Sequence, residues 1–232
     1  MSGTVVITGA NRGLGLALAK HYLAQGAIVI GGCRTPTAAR ELSDAGAEIH
    51  RLDTGSGESI ADFAIAVGDR PVDLLYNNAG IDARAVGADD SARGALDLTE
   101  SQFQSVMGVN VLGPMLVVQA LADNLRVAGG KVVNISSQVG SIEVAQRIGR
   151  DVAYSTSKAA LNMLTLKQSQ VLRSQGVSVI ALHPGWLRSE MGGPGADLEP
   201  TEVAPRIAGV VDTVTIDRTG TFLKWDGSVH PW

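Results

Sequence analysis

The stretch from Thr4 to Leu23, TVVITGANRGLGLALAKHYL, constrains what this chain can fold into more than any other. A β-branched apolar run, Thr4 to Thr8, passes without a spacer into a glycine-rich turn ending at Gly15. Apolar residues Leu16, Leu18, Ala19 and Leu23 then recur at helical spacing. Strand, glycine turn and helix in that order let the backbone turn sharply, and they aim the free amides and partial positive charge of a helix N-terminus at a ligand above the turn. A pyrophosphate suits that place. Glycines also serve ordinary turns; the flanking strand and helix favour the ligand-binding reading.

The strand and helix alternation continues along the chain. Strand-like runs recur at Ile28 to Cys33, Glu48 to Leu52, Val72 to Tyr76, Lys131 to Ile135, Val177 to Leu182 and Thr221 to Lys224. Helical patterns lie between them, at Thr37 to Ala45, Glu58 to Val67, Glu100 to Val127 and Tyr154 to Gln175, with Thr201 as the cap of a shorter one. This predicts an α/β fold of the Rossmann type, a doubly wound and mainly parallel seven-stranded sheet with helices on both faces. Residues 1–232 are expected to form one domain. Asn110 and Gly113-Pro114 interrupt the third helical pattern and predict a kink that frees a carbonyl near Asn110. Ile81 to Leu98 reads as a long polar surface loop. The Gly- and Pro-rich stretch of about 185–200 reads as a mobile lid.

Composition narrows the function classes. A net charge of -4 with no basic run argues against a nucleic-acid surface. Cys33 is the single cysteine and only four histidines are present, so neither an internal disulfide nor a metal-ligand spacing is expected. No basic and apolar leader precedes Thr4, and no uninterrupted apolar run reaches the length of a membrane span, so a soluble cytoplasmic protein without a membrane partner is expected.

Chemistry-bearing residues fall mostly where strands end, the edge at which open parallel sheets bind ligands. After the second strand comes Arg34, with no carboxylate between Val29 and Arg40. An acid there would hold the 2'-hydroxyl of NAD, whereas Arg34, with Arg12 in the glycine turn, complements a 2'-phosphate and predicts NADP(H). Both arginines are alternatively solvated surface groups. The amides of NNAG, Asn77 to Gly80, end the fourth strand, and Ser136-Ser137 ends the fifth. Tyr154 and Lys158 lie four apart on one helix face, where a fixed ammonium would pull the phenol pKa down and make a usable acid and base. Such a pair alone is commonly just a solvated face.

Taken in order, the TGxxxGxG turn, NNAG, Asn110, the serine pair, YxxxK and Pro184-Gly185 make the chain similar to the short-chain dehydrogenases/reductases over essentially its whole length. CRTP at Cys33 to Pro36, HPGWLRSEMGG and the closing aromatic residues resemble the subgroup containing bacterial C-factor and the carbonyl reductase sniffer. The resemblance implies that Tyr154 is the general acid in ketone reduction and that Lys158 holds the nicotinamide ribose and lowers the Tyr154 pKa. It further implies that Ser137 orients the substrate oxygen and that Asn110 anchors a water. For the cofactor it implies Gly9, Asn11, Arg12, Gly13, Leu14 and Gly15 at the turn, Arg34 at the 2'-phosphate, and Asp53 at the adenine. Asn78, Ala79 and Gly80 would lie on the adenosine side, and Pro184, Gly185 and Ser189 near the nicotinamide, together with Tyr154 and Lys158. Gln138, Ile142, Val144, Trp186 and Met191 are candidates for lining a site for a hydrophobic or aromatic ketone. Tyr76, where a smaller apolar residue is usual, and an enlarged loop from Gln138 to Val152 bear on substrate size. A homodimer or homotetramer is expected through the helices Glu100 to Val127 and Tyr154 to Gln175. A dinucleotide-binding signalling protein of the C-factor kind is the alternative to an enzyme.

Overall fold

Seven strands form one sheet in the computed structural model, which describes residues 3–145 and 151–232. In chain order the elements begin with β1 Thr4–Thr8, α1 Gly13–Ala24, β2 Ile28–Cys33, α2 Arg40–Asp44, β3 Glu48–Arg51, α3 Gly57–Val67 and β4 Leu74–Asn77. There follow α4 Glu100–Met107, α5 Gly113–Ala120, α6 Ala122–Ala128, β5 Lys131–Ile135, α7 Ile142–Ala145, α8 Val152–Leu172, β6 Ser178–His183, α9 Pro200–Asp212 and β7 Phe222–Lys224. The strand order is β3-β2-β1-β4-β5-β6-β7, and every neighbouring pair is parallel, so the sheet is wholly rather than mainly parallel. The order reverses beside β1, where β2 lies on one side and β4 on the other, and this switch point leaves a crevice at the carboxyl ends.

Side-chain alternation in the strands builds a core on each face. In β1, Val5 and Ile7 join Leu18, Tyr22 and Ile207 under α1 and α9, while Val6 joins Phe63, Leu121 and Leu125 under α3, α5 and α6. Near-continuous apolar strands are therefore required, since neither face meets water.

Three details differ from the sequence reading. The long helix expected from Glu100 to Val127 is divided: a π-helical turn at Gly108–Leu112, closed by Gly113 N–H donating to Gly108 O, separates α4 from α5, and α6 follows separately. The extra residue in that turn carries the expected irregularity at Asn110, which is fully buried. Pro200 rather than Thr201 opens α9, in the first-turn position where the missing N–H costs no bond. Tyr76 points into the core and not into a substrate site: its hydroxyl lies 2.8 Å from that of Tyr22, and both rings are buried. Helical residues Glu100–Ala120 are long and apolar enough by composition to cross a membrane, and here Val106, Val117 and Val118 are packed into the fold.

Candidate active site

At the switch point the glycine turn adopts backbone that side chains would obstruct. Gly9 has φ of +67°, and a Cβ on Gly15 would stand 2.3 Å from Gly9 O and 2.6 Å from Asn78 Nδ2. Asn78 accounts for the closeness: its Nδ2 donates to the carbonyls of Thr8 and Gly9 at 3.0 and 3.1 Å, and its backbone N–H donates to Thr8 Oγ1 at 3.0 Å. Ala79 N–H donates to the same hydroxyl at 3.0 Å. Thr8 thus joins NNAG to the turn, a role that its β-branched strand-end position did not advertise. The amino end of α1 has no side-chain cap and no acid in its first turn, so its amides stay open to an anion.

Arg34 follows β2, is exposed, and has no ion pair among the described residues. Arg12 differs from the expectation: its guanidinium is paired with Glu190 of the lid. Asp53 is half-buried after β3, with Oδ1 accepting from Gly55 N–H at 2.9 Å. Ser189 lies against the glycine turn, 3.9 Å from the place of a Cβ on Gly13, and its hydroxyl accepts from Gly192 N–H at 3.0 Å.

Across the crevice, α8 presents Tyr154 and Lys158 on one face. The lysine Nζ lies 5.5 Å from the centre of the tyrosine ring and donates to Ile135 O at 2.8 Å. Tyr154 is hydrogen-bonded to Ser137, which caps the short turn after β5. Asn110 Nδ2 donates to Ile81 O at 2.8 Å and to Ser157 Oγ at 2.9 Å, and its Oδ1 accepts from Ile81 N–H at 2.8 Å. Gly80 completes the floor. A Cβ there would lie 3.3 Å from Asn110 Oδ1 and 3.5 Å from Lys158 Nζ, closing the approach to both.

The electrostatics correct one expectation. Burial lowers the Lys158 ammonium from its ordinary value to about 8. Tyr154 is not pulled down in the free protein; desolvation pushes it up to about 12, the Ser137 hydrogen bond opposes this, and the charges of Asp82 and Asp151 add to it. Burial is the main reason; Lys158 meanwhile spends its contact on the Ile135 carbonyl, and the carboxylates of Asp82 and Asp151 add like charge. Of the two carboxylates only Asp151 left a sequence signal, an acid just ahead of a helical run.

The substrate candidates are distributed over three segments. Gln138 and Val144 are half-buried in the turn after β5 and in α7, and Ile142 is 76 % exposed. Trp186 donates its indole N–H to Gly192 O at 2.9 Å within the lid. Met191 O accepts from Arg84 Nη2 at 2.6 Å. Part of the enlarged loop, residues 146–150, lies outside the described residues.

This chain belongs to the short chain dehydrogenase family, whose model matches residues 3–197. It is 36% identical over 173 residues to C-signal of Myxococcus xanthus, covering 73% of this chain and 98% of that protein. An NADPH-bound carbonyl reductase from chicken fatty liver superposes with a TM-score of 0.90 at 33% identity, covering 99% of this chain and 98% of the other. The carbonyl reductase Sniffer of D. melanogaster superposes with a TM-score of 0.90 at 26% identity over both full chains. The family consists of oxidoreductases that bind a nicotinamide dinucleotide and act on small molecules.

Proposed function

We propose that this protein is an NADP(H)-dependent reductase of a hydrophobic or aromatic ketone. The convergence of Tyr154, Ser137, Lys158 and Asn110 at the sheet switch point carries the reading, because a phenol hydrogen-bonded to a serine beside a buried ammonium is equipped to protonate an oxyanion. When bound, the cofactor supplies the hydride. Tyr154 gives its proton to the substrate oxygen, and Ser137 orients that oxygen by a second hydrogen bond. Lys158 holds the nicotinamide ribose. It turns from Ile135 O toward the phenol as phenolate develops, so that its charge stabilises the product of proton transfer. Asn110, locked to Ile81 in both directions, fixes the π-helical turn beside Lys158 and anchors the water through which the proton is replaced.

Gly9, Asn11, Gly13, Leu14 and Gly15 cradle the pyrophosphate over the open end of α1. Asn78, Ala79, Gly80 and Asp53 take the adenosine side, and Pro184, Gly185 and Ser189 face the nicotinamide. Arg34 binds the 2'-phosphate, with Arg12 joining it on release from Glu190. Exposure of Arg34 and the lack of a carboxylate near it in sequence favour NADP(H) over NAD(H). Gln138, Ile142, Val144, Trp186 and Met191 surround the ketone. Copies associate as a dimer or tetramer through the outer faces of α4, α5 and α8, where Met163 is 57 % exposed and neighbouring Leu112 48 %; light scattering tests this.

Tyr154→Phe is expected to lower turnover by a factor of about 10² to 10⁴ while leaving NADPH binding intact; full turnover would overturn the mechanism. Arg34→Glu is expected to reverse the preference for NADPH in kcat/KM. The likeness to C-signal supports a second reading, a dinucleotide-binding signalling protein. Tight NADPH binding with no turnover across a panel of ketones and alcohols would favour it.

A further inference from the structure

Five charged side chains outside the assigned machinery meet at the amino end of α8. Asp151 caps that helix: Oδ1 accepts from Tyr154 N–H at 3.1 Å and Oδ2 from Ala83 N–H at 2.7 Å. A single carboxylate thereby fastens the turn that bears the phenol to the loop after β4. Arg93 stands 4.0 Å from Asp151 Oδ2, 3.9 Å from Asp82 Oδ2 and 2.9 Å from Asp90 Oδ1. Arg84 is paired with Asp82 at 2.6 Å and reaches on to the lid at Met191 O. The side chains of Asp82 and Asp151 are only 11% and 3% exposed, so water screens them weakly.

We propose that Asp151, backed by Asp82, is a positioning residue for Tyr154 that also acts through its charge, keeping the phenol in its proton-carrying form and biasing the site toward carbonyl reduction. This rests on Tyr154 being the proton donor. The groups that act on the phenol among the described residues are Lys158 on its own helix, Ser137 after β5, and the carboxylates Asp82 and Asp151, the last held at the backbone N–H of Tyr154 itself. Behind the carboxylates stand Arg84, Arg93 and Asp90, three acids against two guanidiniums, which leaves the negative side in excess. Like charge disfavours phenolate, and burial and the two carboxylates act in the same direction on Tyr154. Arg84 adds a link from this cluster to the lid.

The test is a spectroscopic pH titration of phenolate absorbance in the full chain without cofactor, which reads the phenol without requiring turnover. The chain has three tyrosines. Tyr22 and Tyr76 ionise well above the ordinary range because they are buried together, so the step lost in Tyr154→Phe belongs to Tyr154. Asp151→Asn keeps one acceptor oxygen for the helix cap, loses the second acceptor at Ala83 N–H, and removes the charge; its Tyr154 step is expected about half a unit to one unit lower than in the parent protein. Asp82→Asn is expected to shift it in the same direction, and it decides the matter if Asp151→Asn does not fold. The alkaline limb of alcohol oxidation should move to lower pH by the same amount. A step that stays in place or rises in a folded variant overturns the proposal. If instead Tyr154→Phe retains full turnover while the step still shifts, the charge effect stands and the catalytic reading of Tyr154 fails.

Discussion

The two walls of the crevice are made of different material. On the cofactor side, the glycine turn is tied to β2 and to the end of β4 through its backbone groups: Gly9 N–H donates to Gly32 O at 2.8 Å, and the Asn78 amide clasps the carbonyls of Thr8 and Gly9. The strand residues behind that wall, Val5, Val6 and Ile7, are fully buried. On the substrate side, the lid is held largely by charged side chains at the surface. Arg12 is paired with Glu190, Arg188 with Glu199 at 2.6 Å, and Arg84 donates to Met191 O. A buried backbone wall cannot shift without breaking the sheet, whereas exposed ion pairs contribute only about 0 to 1 kcal/mol each and exchange readily with water. The first wall suits a constant ligand, the second a variable one.

Breaking the rigid wall should have the largest effect. Gly15→Ala places a methyl against Gly9 O and Asn78, and overpacking of about 1 to 3 kcal/mol predicts roughly a ten- to hundredfold loss of NADPH affinity by calorimetry. Lys158, across the crevice on α8, sharpens the contrast because it is buried and its charge is pH-dependent. Its depressed value means that the ammonium is lost as pH rises through about 8. NADPH affinity is therefore expected to fall by about tenfold across that window, and to stay flat in Lys158→Met.

Tyr76→Phe leaves the buried Tyr22 hydroxyl without its partner and should lower unfolding free energy by about 1 to 3 kcal/mol, measured by denaturant titration. The soft wall should respond differently. Arg84→Gln is expected to raise KM for ketones a few-fold, measured by steady-state kinetics. Glu190→Gln should have the smallest effect on stability, well within about 1 kcal/mol, and should slightly tighten NADPH binding by freeing Arg12; weaker binding would count against that role for Arg12.

Much of the rigid wall was legible in the residues, and much of the soft one was not. β1, β2 and β5 begin and end where apolar runs predicted, because strands covered on both faces leave long hydrophobic signals. The irregularity at Asn110 was visible as an amide and a proline inside a helical pattern, but its form as a π-helical turn depends on the bonds to Ile81 and Ser157. Arg12 was read as a free cation; its partner Glu190 is far along the chain and only the folded lid brings them together. Tyr76 was read as a constraint on substrate size because a strand's end does not show which way its last side chains point; pairing with Tyr22 turns it into the core.

The sequence by itself determined the parallel α/β architecture, the glycine turn and the YxxxK spacing, since these depend on contacts within a few residues or on a period along one element. What only the tertiary structure decided is the electrostatic state of the site. Lys158 is satisfied by Ile135 O, while Asp82 and Asp151, brought from two separate segments, add their negative charge to the surroundings of the phenol. Coulomb interactions depend on distance through space and on the exclusion of water, and neither quantity can be read from spacing along a chain.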